Sequence, residues 1–213
     1  MHVSAIILRD LRRAWTGGGL LWPVAFFLLV ATLFPFAVGP DAALIGRIGG
    51  GVIWAAALLA ALLPVERLIA PDVEAGVIDQ YAVRGVPLAL VAFAKTVAHW
   101  LGFAPPLMLA AVIAAGLFDL PAATLLRVEA GLLVGTPGLA ALAVATSALV
   151  TGLRGGGGVA GLVMLPLAIP LLIFGAGSLD TGVGALKLLG AVSLLLTAGA
   201  PWIAAAAIRA GMD

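Results

Sequence analysis

Six long apolar stretches organise this chain, and one charged interval interrupts them. The stretches run over 20–38, 48–65, 91–117, 130–151, 159–177 and 187–207. Each is near the ~20 residues that a helix needs to cross ~30 Å of hydrocarbon. Their apolar residues are continuous rather than alternating with polar ones, which predicts membrane-spanning helices and not a barrel. The interruption, ERLIAPDVEAGVIDQYAVR at 66–84, carries Glu66, Arg67, Asp72, Glu74, Asp79 and Arg84. Such a stretch cannot remain in hydrocarbon, so it is expected at a membrane surface between spans two and three.

Within it, Pro71 suits a first helical position. Asp72 and Glu74 then fall where the positive end of the helix dipole favours acids. Val73, Val77 and Tyr81 recur at four-residue spacing, with Ile78 adjoining and Gly76 within the run. The expectation is one short amphipathic helix over 71–81, with Asp72, Glu74 and Asp79 outside the apolar stripe. This is the form a docking element for a cytoplasmic motor would take. A solvated acidic loop is the plainer alternative.

The first sixteen residues have their own pattern. Val3, Ile7, Leu11 and Ala14 share one helical face, with Trp15 beside it, and Arg9, Arg12 and Arg13 lie on another. This predicts an interfacial amphipathic helix lying in the membrane plane, or a plain positive anchor; the two are compatible. Gly17, Gly18 and Gly19 would supply the turn into span one. An apolar core longer than that of a signal peptide, followed by five further spans, argues against a cleaved leader.

Composition confirms the class. Of 213 residues, 63% are hydrophobic and 10% charged, with a mean hydropathy of +1.23. Ordinary soluble domains are nearer a quarter charged, so a single membrane domain over 1–213 is expected. A net charge of +1 lacks the basic face of a nucleic-acid binder. The absence of cysteine removes disulfides, thiolate metal sites and thiol nucleophiles. Arg9, Arg12, Arg13, Arg67, Arg84, Arg154 and Arg209 fall on one predicted side, against Arg47, Arg127 and Lys187 on the other. The positive-inside rule then puts both termini and the 66–90 connection in the cytoplasm.

Candidate chemistry is sparse. Gly155 to Gly158 are not followed by the Lys-Ser/Thr of a phosphate-binding loop; they read as a flexible turn between spans four and five. ATP hydrolysis, if it drives this chain, belongs to another subunit. Lys95 and His99, four residues apart in span three, are candidate intramembrane functional residues. The plainer expectation is that Lys95 snorkels to the headgroups and His99 hydrogen-bonds a neighbouring helix. With no acid deep in a predicted span, a carboxylate proton relay is missing. Prolines 23, 35, 105, 106, 137, 166 and 170 read either as hinges or as packing irregularities.

Several strings resemble the CcmB family, the haem exporter B membrane subunits of an ABC-type complex in bacterial cytochrome c maturation. They are TLFPFAVGP at 32–40, GVIWAAALLAALLPVERL at 51–68, DVEAGVIDQ at 72–80, LVAFAKTVAHW at 90–100, LLVGTPGLAAL at 132–142, RGGGG at 154–158 and LPLAIPLLIFGAG at 165–177. They occur in order and span nearly the whole chain. Pro64 departs from the pattern and is expected to shorten span two.

The resemblance implies a six-span permease in the bacterial inner membrane, acting as a homodimer amid membrane lipid. It implies partners of the CcmA ATPase, CcmC and CcmD types, and the periplasmic haem chaperone CcmE. ATP and haem would then act through partner subunits, with no cofactor or metal bound by this chain. ATPase coupling would fall on Glu66, Asp72, Val73, Glu74, Gly76, Val77, Asp79 and Tyr81. Read from the residues alone, an ABC exporter permease for a lipid-linked or glycan substrate stays open. So does a proton-coupled secondary carrier using His99 and Lys95, which the missing intramembrane acids disfavour. An intramembrane enzyme is disfavoured by the lack of cysteine and of paired carboxylates.

Overall fold

A computed structural model describes residues 3–16, 19, 21–151, 153 and 156–211. Helix α1 (Val3–Thr16) precedes two spans, α2 (Leu21–Val38) and α3 (Ala42–Leu62). A 3₁₀ turn at Val65–Arg67 leads into two short helices, α4 (Ala70–Glu74) and α5 (Val77–Val83). Four more spans complete the chain: α6 (Leu88–Leu117), α7 (Ala122–Val150), α8 (Gly156–Thr181) and α9 (Val183–Ala210). The described residues contain no strand, and six helices are long and apolar enough to cross a membrane. This is the expected multi-pass, all-helical membrane fold.

The helices overrun the apolar runs. Spans two, four and six begin at Ala42, Ala122 and Val183, several residues before the expected starts. The cause is shared: Arg47, Arg127 and Lys187 lie in the second turns of these helices, and a charge there ends the apolar run before the helix ends. A 29-residue helix such as α7 is about 44 Å long, so its ends reach past the hydrocarbon, where charge is tolerated. Asp41 caps α3 by accepting a bond from Leu44 N at 3.0 Å. Span two ends early, as expected from Pro64: α3 stops at Leu62, because Pro64 has no N–H to offer the Ala60 carbonyl, which instead accepts from Leu63 N at 3.3 Å in a tighter final turn.

One expectation about the glycines changes. Helix α8 already begins at Gly156, so Gly156 to Gly158 are helical rather than a flexible turn; Arg154 and Gly155 lie outside the described residues, as do Gly17 and Gly18. The interior prolines leave α6, α7 and α8 continuous.

Helix α7 is the central element, packed against α3, α6, α8 and α9. Lipid is as apolar as leucine, so close van der Waals packing must hold these helices together, and small residues allow it. Trp54 of α3 is fully buried, and its ring lies over glycines of two other spans. A Cβ on Gly135 would come within 2.6 Å of Trp54, and one on Gly175 within 2.5 Å. At Gly138 a Cβ would meet the Ser193 backbone at 2.9 Å, and its N–H donates to Ser193 Oγ at 3.0 Å. Trp100 Nε1 donates to Thr136 Oγ1 at 3.0 Å, joining α6 to α7.

A second core forms where α1, Ile69 just ahead of α4, and α5 meet α6, α7 and α9, around Ile6, Ile69, Ile78, Tyr81, Val91, Val144 and Ile208. This core seats the interspan segment firmly on the bundle.

Candidate coupling site and adjoining cavity

The segment between α3 and α6 folds as two helices, not one. Gly76 adopts φ +65°, a left-handed conformation that ends α4 and starts α5. The four-residue recurrence of Val73, Val77 and Tyr81 is therefore interrupted. Val73 is exposed, Val77 is half-buried, and Tyr81 is buried in the second core with Ile78. Glu66, Glu74 and Asp79 are exposed, as expected of an outer face.

Asp72 is not on that face. Its side chain is 3% exposed and pairs with the Lys95 ammonium, itself 5% exposed. Burial has a simple cause. The start of α4 is tied to the bundle, where Ile69 is fully buried and its N–H donates to Ser147 Oγ of α7 at 3.1 Å. A carboxylate so placed needs a cation, because an unpaired buried charge is prohibitively costly. Lys95 consequently does not snorkel. Its Nζ donates to Asp10 Oδ2 at 3.0 Å and to the Leu68 carbonyl at 3.0 Å, besides Asp72.

Helix α1 completes the cluster. Arg9 and Arg13 both donate to the Asp72 carboxylate, Arg13 at 3.1 Å. Arg9 also pairs with Asp10 at 2.6 Å, and its guanidinium lies 5.9 Å from the centre of the Tyr81 ring. Desolvation works against the Arg9 charge, but Asp10 and Asp72 outweigh it and raise its pKa. Burial pushes the Tyr81 phenol up. Five charged groups from α1, α4 and α6 thus form one network. The structure brings together Asp72, Lys95 and Tyr81 of the expected residues and leaves Glu66, Glu74 and Asp79 outside. Asp10 was missed by sequence reasoning, as was the inward role of Arg9 and Arg13. A lone acid in an arginine-rich amphipathic helix was the available signal.

Beside the network lies a cavity of about 610 Å³ between α1, α2 and α6. Asp10, Arg13, Arg67 and Lys95 line one end, and His99 and Phe103 lie deeper. His99 stacks on Phe103, with ring centres 5.6 Å apart. Its Nε2 has no hydrogen-bond partner among the described residues, so the expected bond to a neighbouring helix is not made through that nitrogen. The described residues hold no cluster of three or more His, Cys, Asp or Glu able to bind a metal.

A family model described as CcmB protein matches residues 1–211. The chain is similar to heme exporter protein B of Rhodobacter capsulatus, at 41% identity over 99% of this chain and 100% of that one. It is 42% identical to the protein of that name from Bradyrhizobium diazoefficiens, over 99% of each. The Escherichia coli K12 protein is 38% identical over 88% of both. With six spans, a charged segment seated between the second and third, and a family match over nearly its full length, this chain belongs to the CcmB family.

Proposed function

We propose that this chain is the permease subunit of an ABC-type complex that handles haem for cytochrome c maturation. A separate CcmA-type ATPase hydrolyses ATP and grips the 65–87 segment. The stroke serves haem delivery or release of a haem-loaded CcmE-type chaperone. CcmC- and CcmD-type membrane subunits complete the assembly, with two copies of this chain. Haem and ATP are handled through those partners, so this chain contributes no catalytic group.

The observation that carries this reading is the Asp72–Lys95 clamp. A motor moves a membrane helix only through something rigidly joined to it. Asp72 joins α4 to α6 through a buried ion pair, and Arg9 and Arg13 join the same carboxylate to α1. Outside the clamp, α4 and α5 present Glu74, Asp79 and exposed Val73 and Val83, the last 88% exposed. This is a mixed apolar and acidic surface for a basic partner groove.

Val73→Asp is expected to abolish co-purification of the ATPase, because the new charge would be desolvated unpaired in the docked state. Glu74→Ala is expected to preserve it, since an exposed pair is worth only ~0–1 kcal/mol. Pull-down from native membranes at matched expression decides, and unchanged capture by Val73→Asp would place the motor elsewhere.

In the proposed orientation both termini and the 65–87 segment are cytoplasmic, and α1 lies along that membrane surface. The chain has no native cysteine, so single cysteines at positions 41 and 74 report sidedness cleanly. An impermeant maleimide should label position 41 and not position 74 in intact cells; the reverse pattern would invert the topology.

His99→Ala should leave cytochrome c maturation largely intact, because haem iron is held by partner subunits. Loss of maturation with normal protein abundance and normal partner capture would make His99 a functional residue.

A further inference from the structure

We infer that the cavity between α1, α2 and α6 is a binding site for an anionic phospholipid of the leaflet on the α1 side. This rests on the membrane architecture alone and not on which subunits assemble around it.

Three observations carry it. The first is access. Helix α2 buries only Pro23, Phe27 and Ala31, so it stands at the edge of the bundle. Trp22 and Leu29, which line the cavity, are also among its most exposed residues. The cavity therefore opens sideways into the bilayer, and its occupant arrives from lipid rather than water.

The second observation is the wall. Phe26, Leu29, Leu63, Ala98 and Phe103 give an apolar lining that suits hydrocarbon chains. Trp22 stands near the start of α2, the depth at which aromatic side chains favour the membrane interface.

The third is charge. Asp10 and Asp72 are set against Arg9, Arg13 and Lys95, so the network keeps a formal surplus of one positive charge. Arg67 adds a second. It lines the cavity, is exposed, and makes no ion pair among the described residues. Arg13 is also within reach, because its side chain remains 60% exposed while holding Asp72. A basic rim above an apolar cleft between spans is the arrangement that takes an anionic headgroup. The headgroup phosphate would sit between Arg67 and Arg13, with an acyl chain running toward Phe103. A lipid so placed would contact α1, the 3₁₀ turn and α6 together, next to the clamp.

Native mass spectrometry of the purified full chain, exchanged into detergent with equal phosphatidylglycerol and phosphatidylcholine, tests this. The wild type should retain phosphatidylglycerol at least tenfold over phosphatidylcholine. Arg67→Gln, at an exposed position that should not affect folding, should lower that preference severalfold. Ala25→Trp, which fills the cavity without removing charge, should lower retention of bound lipid while the ion-pair network stays intact. Equal retention of the two lipids by the wild type would overturn the proposal, as would an undiminished preference in both variants. Displacement of bound phosphatidylglycerol by equimolar haem, with a Soret shift lost in His99→Ala, would overturn it in favour of a porphyrin carboxylate as the occupant.

Discussion

Lys95→Met is expected to strip the chain of most of its folded population. The substitution leaves Asp72 buried with only the partly exposed Arg9 and Arg13 to face it, and leaves the Leu68 carbonyl without its donor. Breaking a buried pair from one side costs about 3–5 kcal/mol, a large fraction of ordinary domain stability. The loss should appear as a fall in thermal midpoint of the purified protein and in its membrane abundance. Adding Asp72→Leu to Lys95→Met should recover much of the loss, since an apolar pair removes the stranded charge. The coupling energy of that cycle separates a true pair from two independent effects. Wild-type stability of Lys95→Met would mean that the network does not hold α4 to α6.

Gly135→Val should be as damaging for a steric reason. Its Cβ alone would come within 2.6 Å of the Trp54 ring and 3.2 Å of Leu189, and the ring lies so close to the glycines at 131 and 175 that a Cβ there would meet it at 3.1 and 2.5 Å, which leaves it little room to shift. Overpacking of this kind typically costs about 1–3 kcal/mol or more. In a bilayer no hydrophobic drive between helices offsets the lost packing. The expected result is loss of the monodisperse protein peak on size-exclusion chromatography in detergent. Trp54→Leu in the same chain should restore part of it by returning volume. A well-folded Gly135→Val single variant would show that α3 and α7 can separate freely.

The six spans and the charged segment between the second and third were legible because hydrocarbon imposes a strong, local constraint on sequence. The span ends were less so. Arg47, Arg127 and Lys187 look like boundaries to a hydropathy reading, yet the helices begin at Ala42, Ala122 and Val183, ahead of them. Arg127 Nη1 even donates to the Leu179 carbonyl of α8 at 3.1 Å. The helical character of the charged interspan segment was legible, and Pro71 does sit in the first turn of α4. Its inner and outer faces were misassigned in part, for two reasons. Spacing cannot show that Gly76 takes a left-handed conformation and breaks the stripe. Nor can it show that Asp72 meets a lysine 23 residues away and arginines 59 and 63 residues away. A tertiary ion pair leaves no periodic signature, so Asp72 reads like the exposed Glu74 and Asp79 beside it. The glycines at 135 and 175 were visible only as small residues; the tryptophan that requires them lies on another helix.

The central claim is that a cytoplasmic ATPase grips the 65–87 segment and moves α6 through the clamp. Photocross-linking within the assembled complex tests it most directly, with a photoreactive amino acid placed singly at Val73, Val83 or Asp41. Cross-links to the ATPase subunit from Val73 and Val83, and none from Asp41, are the predicted result. ATPase present in the complex but cross-linking from neither Val73 nor Val83 would contradict the account.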